Sequence, residues 1–502
     1  VKPTSPVIFL GLIGTLVVWY PSRQADGSPV EPEPVEGARS ERETSANYLF
    51  EQGSKPDYPP SKPRLQTDGF SCPRCSLVLV SIDTLRADHL GCYGYGRNTS
   101  PNIDRMAGDG ILFERAHATS YVTADSHMSI FTSLYPSVHG VRNASVENRR
   151  ALRLHPYIKT LPEILREAGY VTGAITGGGN AAADFGFDRG MDSFQVVWEI
   201  DAAVEQATRF IEQHQNAPFF LFFHTYHVHD PYLPGPRTPR FFEGSYKGKI
   251  MVDGDKLRSL QKDGSFAEQR RAYWGLVNRD DPDEIAYLVS LYDGEIWEVD
   301  HHLGRLLGFF RLHVPDAVII VTSDHGEQFL EHGDVLHNDL YQELLHVPLI
   351  IAGRRLASGI RIRTPVSLID LAPTALDLMG LPAIPQFQGR SLAPTLQGRD
   401  RGRDIFSEKA GRKTTLLANG SKLIVSVNRL PEFYDLNSDA GEKSDLTSDV
   451  PRVLDLARQL GETIAANHAL GVELRRNETR AERNDRLDSS TEEQLKALGY
   501  ME

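Results

Sequence analysis

Five short apolar runs punctuate the chain, at residues 76–82, 170–176, 219–223, 318–322 and 347–351. They are nearly continuous rather than alternating, the pattern of strands buried on both faces of a sheet. Between them lie stretches with helical spacing. Thr160 precedes Leu161-Pro162-Glu163 and the stretch closes at Gly169, which gives a cap, an early proline and a terminal glycine. Residues 201–215 place Val204, Thr208 and Ile211 on one helix face. Buried strands alternating with amphipathic helices predict an α/β sandwich around a mostly parallel sheet. In such sheets ligands bind beyond the carboxyl ends of the strands. Asp83, His224, Asp324 and His325 each follow an apolar run and are expected to converge there.

The pattern changes at both ends. Residues 6–20 are apolar behind a single Lys2, and are expected to act, within residues 1–22, as a signal peptide or membrane anchor. Residues 23–74 are rich in Pro, Glu, Ser and Gly and read as a disordered linker. Export to a periplasmic or other extracytoplasmic space follows as the expected location, with a membrane tether through the N-terminal segment as its alternative. A catalytic domain is expected over 75–398. Short antiparallel strands over 414–427 and 432–436, then a helix over 450–467, mark a smaller C-terminal α+β subdomain at 399–502, closed by a short helix from Thr491.

At 502 residues the chain is long enough for a substantial core. Its net charge of −13 disfavours nucleic acid as a partner. Of three cysteines, Cys72 and Cys75 form a lone CxxC. No second pair completes a zinc site, so a local disulfide or two free thiols are expected there. Oligomeric state leaves no mark in the sequence.

Two carboxylates and an imidazole at strand ends, Asp83, Asp324 and His325, suit a divalent cation with coordination positions left open. Those ligand types admit calcium, manganese, magnesium or zinc. Thr123 opens a run with Ile130, Phe131 and Leu134 at helical spacing. A hydroxyl there is either an N-cap or a nucleophile that gains from the helix dipole. His224, His227 and His229 crowd six residues after one apolar run, and His337 is grouped with them. These imidazoles suit binding of substrate oxygens, protonation of a leaving group or a second metal.

Several ordered motifs resemble the sulfatase branch of the alkaline phosphatase superfamily. Residues 81–91 (Ser-Ile-Asp-Thr-Leu-Arg-Ala-Asp-His-Leu-Gly) look like its first metal motif, and Thr322-Ser323-Asp324-His325-Gly326-Glu327 like its second. His229-Asp230-Pro231-Tyr232 is similar to its substrate-histidine segment. The run 123–140 is similar to its nucleophile segment, in which a Cys or Ser followed by x-Pro-x-Arg becomes formylglycine. The resemblance implies an alkaline-phosphatase-like fold, a metal-centred site and an anionic ester substrate. It places the metal on Asp83, Asp324, His325 and Thr123. Thr123, His229 and His337 carry catalysis, and His127, His224 and His227 contact substrate.

Three motifs depart from the family. Thr84 stands where a second Asp is usual, and Asp324-His325 is within the range of the second motif but not its commoner form. The third departure is the nucleophile segment, where Thr123 takes the nucleophile position, Asp125 the Pro position and His127 the Arg position, and formylglycine is not expected. The predicted function is a metal-dependent hydrolase of sulfate or phosphate esters with a threonine nucleophile. The alternatives are a phosphotransferase or phosphodiesterase of the same superfamily, or a silent binding protein, the last suggested by Asp125 beside the anion site.

Overall fold

The structure, a computed structural model, describes residues 70–143, 150–151, 153–242, 246, 248–250, 266–400, 402–409, 413–427, 429–476 and 485–498. The expected leader and nearly all of the linker lie outside the described residues. Among the described residues no helix is long and apolar enough to cross a membrane.

Eight strands form the central sheet: β1 (Leu77–Ile82), β2 (Ile111–Phe113), β3 (Val171–Thr176), β4 (Ser193–Val196), β5 (Phe219–Thr225), β6 (Val318–Thr322), β7 (Leu349–Ala352) and β8 (Ile360–Ile362). Their spatial order is β8-β2-β7-β6-β1-β5-β3-β4. The block β6-β1-β5-β3-β4 is parallel throughout. Strand β7 runs antiparallel to both of its neighbours. Its apolar run, foreseen as one more buried strand, is a reversed one because it returns directly from the loop that follows β6.

Strand β1 shows why the sheet sits at the centre. All six of its residues are buried. Leu77 and Leu79 enter one core, and Val78, Val80 and Ile82 enter the other. The first core holds α2 (Thr123–Thr132) and the C-terminal subdomain; the second holds α4 (Ile200–His214) and α5 (Pro282–His313). The remaining helices named here are α1 (Pro101–Gly108), α3 (Leu161–Glu167), α6 (Val450–Leu474) and α7 (Ser489–Ala497). Helix α3 begins at the foreseen capping box: Thr160 Oγ1 accepts the Glu163 N–H and Glu163 Oε2 accepts the Thr160 N–H. In α4 the buried stripe is Ala203, Val204, Ala207, Phe210 and Ile211, with Thr208 half-buried beside it.

The C-terminal subdomain is a four-stranded antiparallel meander, β9 (Ile405–Lys409), β10 (Lys413–Ala418), β11 (Ser421–Ser426) and β12 (Glu432–Asp435), backed by α6. It is sewn onto the larger domain on the side of α2. The Ser407 hydroxyl donates to the Ala118 carbonyl at 2.6 Å, and the Glu408 N–H to the Thr119 carbonyl at 2.8 Å. Cys72 and Cys75 are joined as a disulfide, one of the two states expected for the pair.

Phe222 of β5 is fully buried and packs edge-on against Phe131 of α2, centroids 4.9 Å apart, and against His127 at 5.8 Å. Truncating it opens a void directly under the helix that carries Thr123. Phe222→Ala is expected to lower stability by about 3–5 kcal/mol, seen as a fall in the midpoint of chemical denaturation.

Candidate active site

The parallel strands β1, β5 and β6 end at one edge of the sheet, and their terminal residues build the site. Asp83 follows β1, His224 is the penultimate residue of β5, and Asp324 and His325 lie just beyond β6. Thr123, from the first core, caps this edge. All five are fully buried. Ligand atoms of Asp83, Asp324 and His325 lie within 4.8 Å of one another. Asp83 Oδ1, Thr123 Oγ1, both Asp324 carboxylate oxygens and His325 Nε2 make no well-formed hydrogen bond among the described residues. Buried polar atoms are rarely left this way, so a cluster of five marks a place for a charged group.

The surrounding hydrogen bonds orient these atoms. His325 Nδ1–H donates to the Gly326 carbonyl at 2.9 Å, which leaves the Nε2 lone pair facing the carboxylates, the tautomer a metal requires. His224 Nδ1 accepts the Gly177 N–H at 3.3 Å, so its Nε2–H is directed at Asp83 Oδ2, 3.4 Å away. His127 Nδ1–H donates to the Thr123 carbonyl at 3.0 Å, and its Nε2 accepts from the Ser81 hydroxyl at 2.8 Å.

Thr123 is the first helical residue of α2; the N-cap is Val122, and no side chain caps the helix. The capping alternative therefore fails: the hydroxyl is not spent on the helix and stands beside Asp83, whose carboxyl it stabilises in the ionised form.

Charge explains the tension in the cluster. Burial holds the Asp83 carboxyl well above the usual range, reinforced by the charges of Asp324 and Glu327. Burial pushes Asp324 the same way, but His325, His127 and His224 outweigh it and bring Asp324 down to about 2. Burial drives His325 and His337 down to about 4, and lowers His127, His224 and His229 as well. At neutral pH these imidazoles are uncharged, and the cluster is an acidic hole suited to a divalent cation.

His229 and His337 stand together at one flank. Their rings are 5.2 Å apart, and the His337 ring is 4.7 Å from that of His325. Glu327 backs them: its Oε1 is 3.2 Å from His337 Nδ1, and its Oε2 accepts from the Tyr232 hydroxyl at 2.8 Å. Burial lifts Glu327 to about 7. Glu327 was not singled out from sequence, although it closes the second metal motif; a carboxylate three residues past Asp324 is the signal that marks it.

His227 is the predicted site residue that the structure turns elsewhere. Its Nε2 lies 3.0 Å from Glu298 Oε2 and 3.8 Å from Glu295 Oε2, both on α5. The turn after β5, in which the His229 N–H donates to the Tyr226 carbonyl at 2.9 Å, sends His227 away from the side taken by Tyr226 and His229, whose rings are 5.8 Å apart. It stands in an ion pair with α5. Glu298 also accepts the Gly235 N–H at 2.6 Å, so the pair fastens the loop after His229 to α5.

The departures from the family pattern are absorbed locally. Thr84, in a left-handed conformation with φ 57°, donates to the carbonyls of Asp83 and Val228 at 2.8 and 3.0 Å. It ties the β1 end to the His229 segment instead of adding a carboxylate. Asp125 faces Lys409 Nζ at 3.6 Å and Arg142 Nε at 3.8 Å, and accepts the Asn143 N–H at 3.1 Å. A further acidic group, His332, Glu343 and Glu442, is closed on itself: His332 Nδ1 meets Glu343 at 2.7 Å and Lys422 meets Glu442 at 2.6 Å.

Comparisons with known proteins identify relatives of this chain. The sulfatase family model matches residues 76–381. An N-acetylglucosamine-6-O-sulfatase of Bacteroides thetaiotaomicron is 23% identical over 407 residues, 65% of this chain and 72% of that protein. A protein solved with its substrate D-glucosamine-2-N,6-O-disulfate superposes with a TM-score of 0.62 at 20% identity, covering 80% of this chain and 98% of the other. The phosphonate monoester hydrolase of Agrobacterium radiobacter gives 0.61 at 20% identity, over 79% and 96%.

Burial acts to lower His227, but Glu295 and Glu298 prevail and raise it. A histidine raised on folding stabilises below its unfolded value, near 6.5, and loses that contribution as pH climbs through the folded value. His227→Gln is therefore expected to cost about 1–2 kcal/mol near pH 6 and distinctly less near pH 9, measured as the difference in denaturation midpoint at the two pH values. With the family model spanning more than half of its length, and both metal motifs folded into one cluster, the chain belongs to the sulfatase family.

Proposed function

We propose that the protein is a metal-dependent hydrolase of anionic sulfate or phosphate esters in which Thr123 is the nucleophile. The observation that carries this reading is the buried hydroxyl of Thr123 beside Asp83, next to ligand atoms of Asp83, Asp324 and His325 that lie within 4.8 Å of one another with no well-formed hydrogen bond to satisfy them. Those three residues and Thr123 would hold one divalent ion. Such an ion, when bound, favours ionisation of the hydroxyl and neutralises charge on the ester.

The residues themselves divide the remaining work. Thr123 Oγ1 attacks sulfur or phosphorus, and the bond from that atom to the leaving oxygen breaks. The Asp83 carboxylate, which faces the hydroxyl, stands as acceptor for its proton. His229 and His337 donate hydrogen bonds to the departing oxygen, and its proton comes from Glu327, relayed through His337. Water then attacks the same sulfur or phosphorus and gives its proton to the His337–Glu327 pair, while the bond to Thr123 Oγ1 breaks and Asp83 returns the proton that restores the hydroxyl. The histidines lining the pocket leave its walls free of fixed positive charge, so the substrate anion depends on the ion and on cations at the rim.

Family membership supports sulfate esters. The nucleophile supports phosphate esters: a formylglycine hydrate can expel sulfate by breaking its own C–O bond, whereas a threonine ester must be cleaved by water at the central atom. Transfer to an alcohol in place of water is the same chemistry with another acceptor.

Turnover of matched aryl sulfate, phosphate monoester and phosphate diester distinguishes these outcomes. Thr123→Ala is expected to reduce kcat on the preferred ester by about 10³-fold or more. Chelation should abolish turnover in the unmodified protein, and readdition of a divalent metal should restore it. Equal turnover by Thr123→Ala and the parent chain would overturn the assignment of the nucleophile.

A further inference from the structure

The segment after β5 carries His229 and Asp230, and a second element converges on it from the long connection that leads to α5. The helix Phe266–Leu276 places Arg270, Tyr273 and Trp274 at the spacing i, i+3, i+4 of one helix face. All three reach back to residues 230–232. Arg270 Nε donates to Asp230 Oδ2 at 2.7 Å and Arg270 Nη2 to Oδ1 at 3.3 Å, a two-point grip on the carboxylate. Trp274 Nε1–H donates to the same Oδ2 at 2.7 Å. The Tyr273 ring meets that of Tyr232 edge-on, centroids 6.4 Å apart.

Asp230 is buried, and burial acts to raise its carboxyl, but Arg270 and His229 outweigh it and the group lies below its usual range. The carboxylate is therefore ionised at neutral pH, and it touches the flank of the site directly. His229 Nδ1 lies 3.0 Å from the Asp230 carbonyl oxygen and 3.2 Å from Asp230 Oδ1. Both partners are acceptors, so Nδ1 carries a proton and Nε2 is the nitrogen that serves the departing oxygen. Nε2 donates only when the ring holds a second proton; burial opposes that state, and the charge of Asp230 is the chief influence favouring it. The His229 ring lies 5.2 Å from that of His337, which is 4.7 Å from that of His325. The same helix reaches His337 by a second route: Tyr232, against which Tyr273 packs, donates its hydroxyl to Glu327, and Glu327 meets His337.

We infer that Arg270 and Trp274 are positioning residues for departure of the leaving group: together they fix the Asp230 carboxylate against His229, and so set the orientation of that ring and its hydrogen bond to the departing oxygen. The inference rests on the reading that His229 serves that oxygen. It gives the connection between β5 and α5 a part in catalysis, carried by two side chains that never touch the substrate.

The test is the leaving-group dependence of kcat/KM, measured with the metal-loaded full chain on aryl esters whose phenols range from nitrophenol to methoxyphenol. This parameter reports the steps up to departure of the phenol. Methoxyphenol needs a hydrogen bond at the leaving oxygen far more than nitrophenol does. Trp274→Phe keeps an aromatic ring and removes the N–H, and Arg270→Met removes the charge. Each is expected to lower kcat/KM about tenfold on the methoxyphenyl ester and about twofold or less on the nitrophenyl ester, while Arg270→Lys retains most of the parental rate. His229→Gln should steepen the leaving-group dependence by itself, and Trp274→Phe added to it should steepen it no further. A structural role alone would lower every ester by the same factor, and that result overturns the inference. An unchanged series, or a double variant steeper than His229→Gln, overturns it as well. Circular dichroism and thermal midpoints identify any variant that loses its fold, in which case Trp274→Phe, the smallest change, decides. If His229→Gln keeps the parental dependence, the reading of His229 fails and takes this inference with it. If His229→Gln steepens it and Trp274→Phe does not, this inference alone is refuted.

Discussion

Two carboxylates buried side by side are the constraint on which the rest of this molecule depends. Asp83 and Asp324 are fully removed from water at the ends of adjacent parallel strands. Isolated charges in that setting cost several kcal/mol each, and together they repel. The protein accepts this arrangement and builds around it. His224 and His127 are locked by backbone and serine hydrogen bonds into orientations that face the carboxylates. His325 is locked with its lone pair inward. The apolar packing of Phe131, Phe187 and Phe222 beneath His127 keeps water out and keeps that ring in place.

The unusual residues at family positions are easier to understand from this constraint than one at a time. A second carboxylate in place of Thr84 would add negative charge to an already acidic hole; threonine uses its hydroxyl to link two strand-end segments instead. Asp125 does add a carboxylate, in the first turn of α2, where Lys409 and Arg142 meet it. The electrostatic difficulty is thereby moved from the centre of the pocket to its rim, where it can be balanced by residues from another part of the chain.

Much of this was legible in the sequence. Parallel buried strands announce themselves by unbroken apolar runs, and β6 was foreseen residue for residue as Val318–Thr322. The convergence of Asp83, Asp324 and His325 followed from strand ends alone. What was not legible depended on direction and distance. The run behind β7 carries no mark of its antiparallel sense. His227 looks like its neighbours His224 and His229 in sequence, and only the turn of the backbone sends it to Glu298. Lys409 lies 286 positions from Thr123 in the numbering, in a strand whose pattern speaks only of a meander. No local signal ties such a residue to Asp125, which it meets across the fold.

The loop that supports His224 is itself finished by a distant segment. The Gly179 N–H donates to Gln494 Oε1 at 2.8 Å across a separation of 315 residues, and the Thr491 hydroxyl donates to Asp184. A ribosome adds roughly 5–20 residues per second, so the loop waits many seconds for its partner while the sheet behind it can already form. The buried acidic edge is thus assembled from the inside outward. The nascent chain holds an incomplete pocket, without the closing contacts that shape it, until almost the last of these residues has emerged.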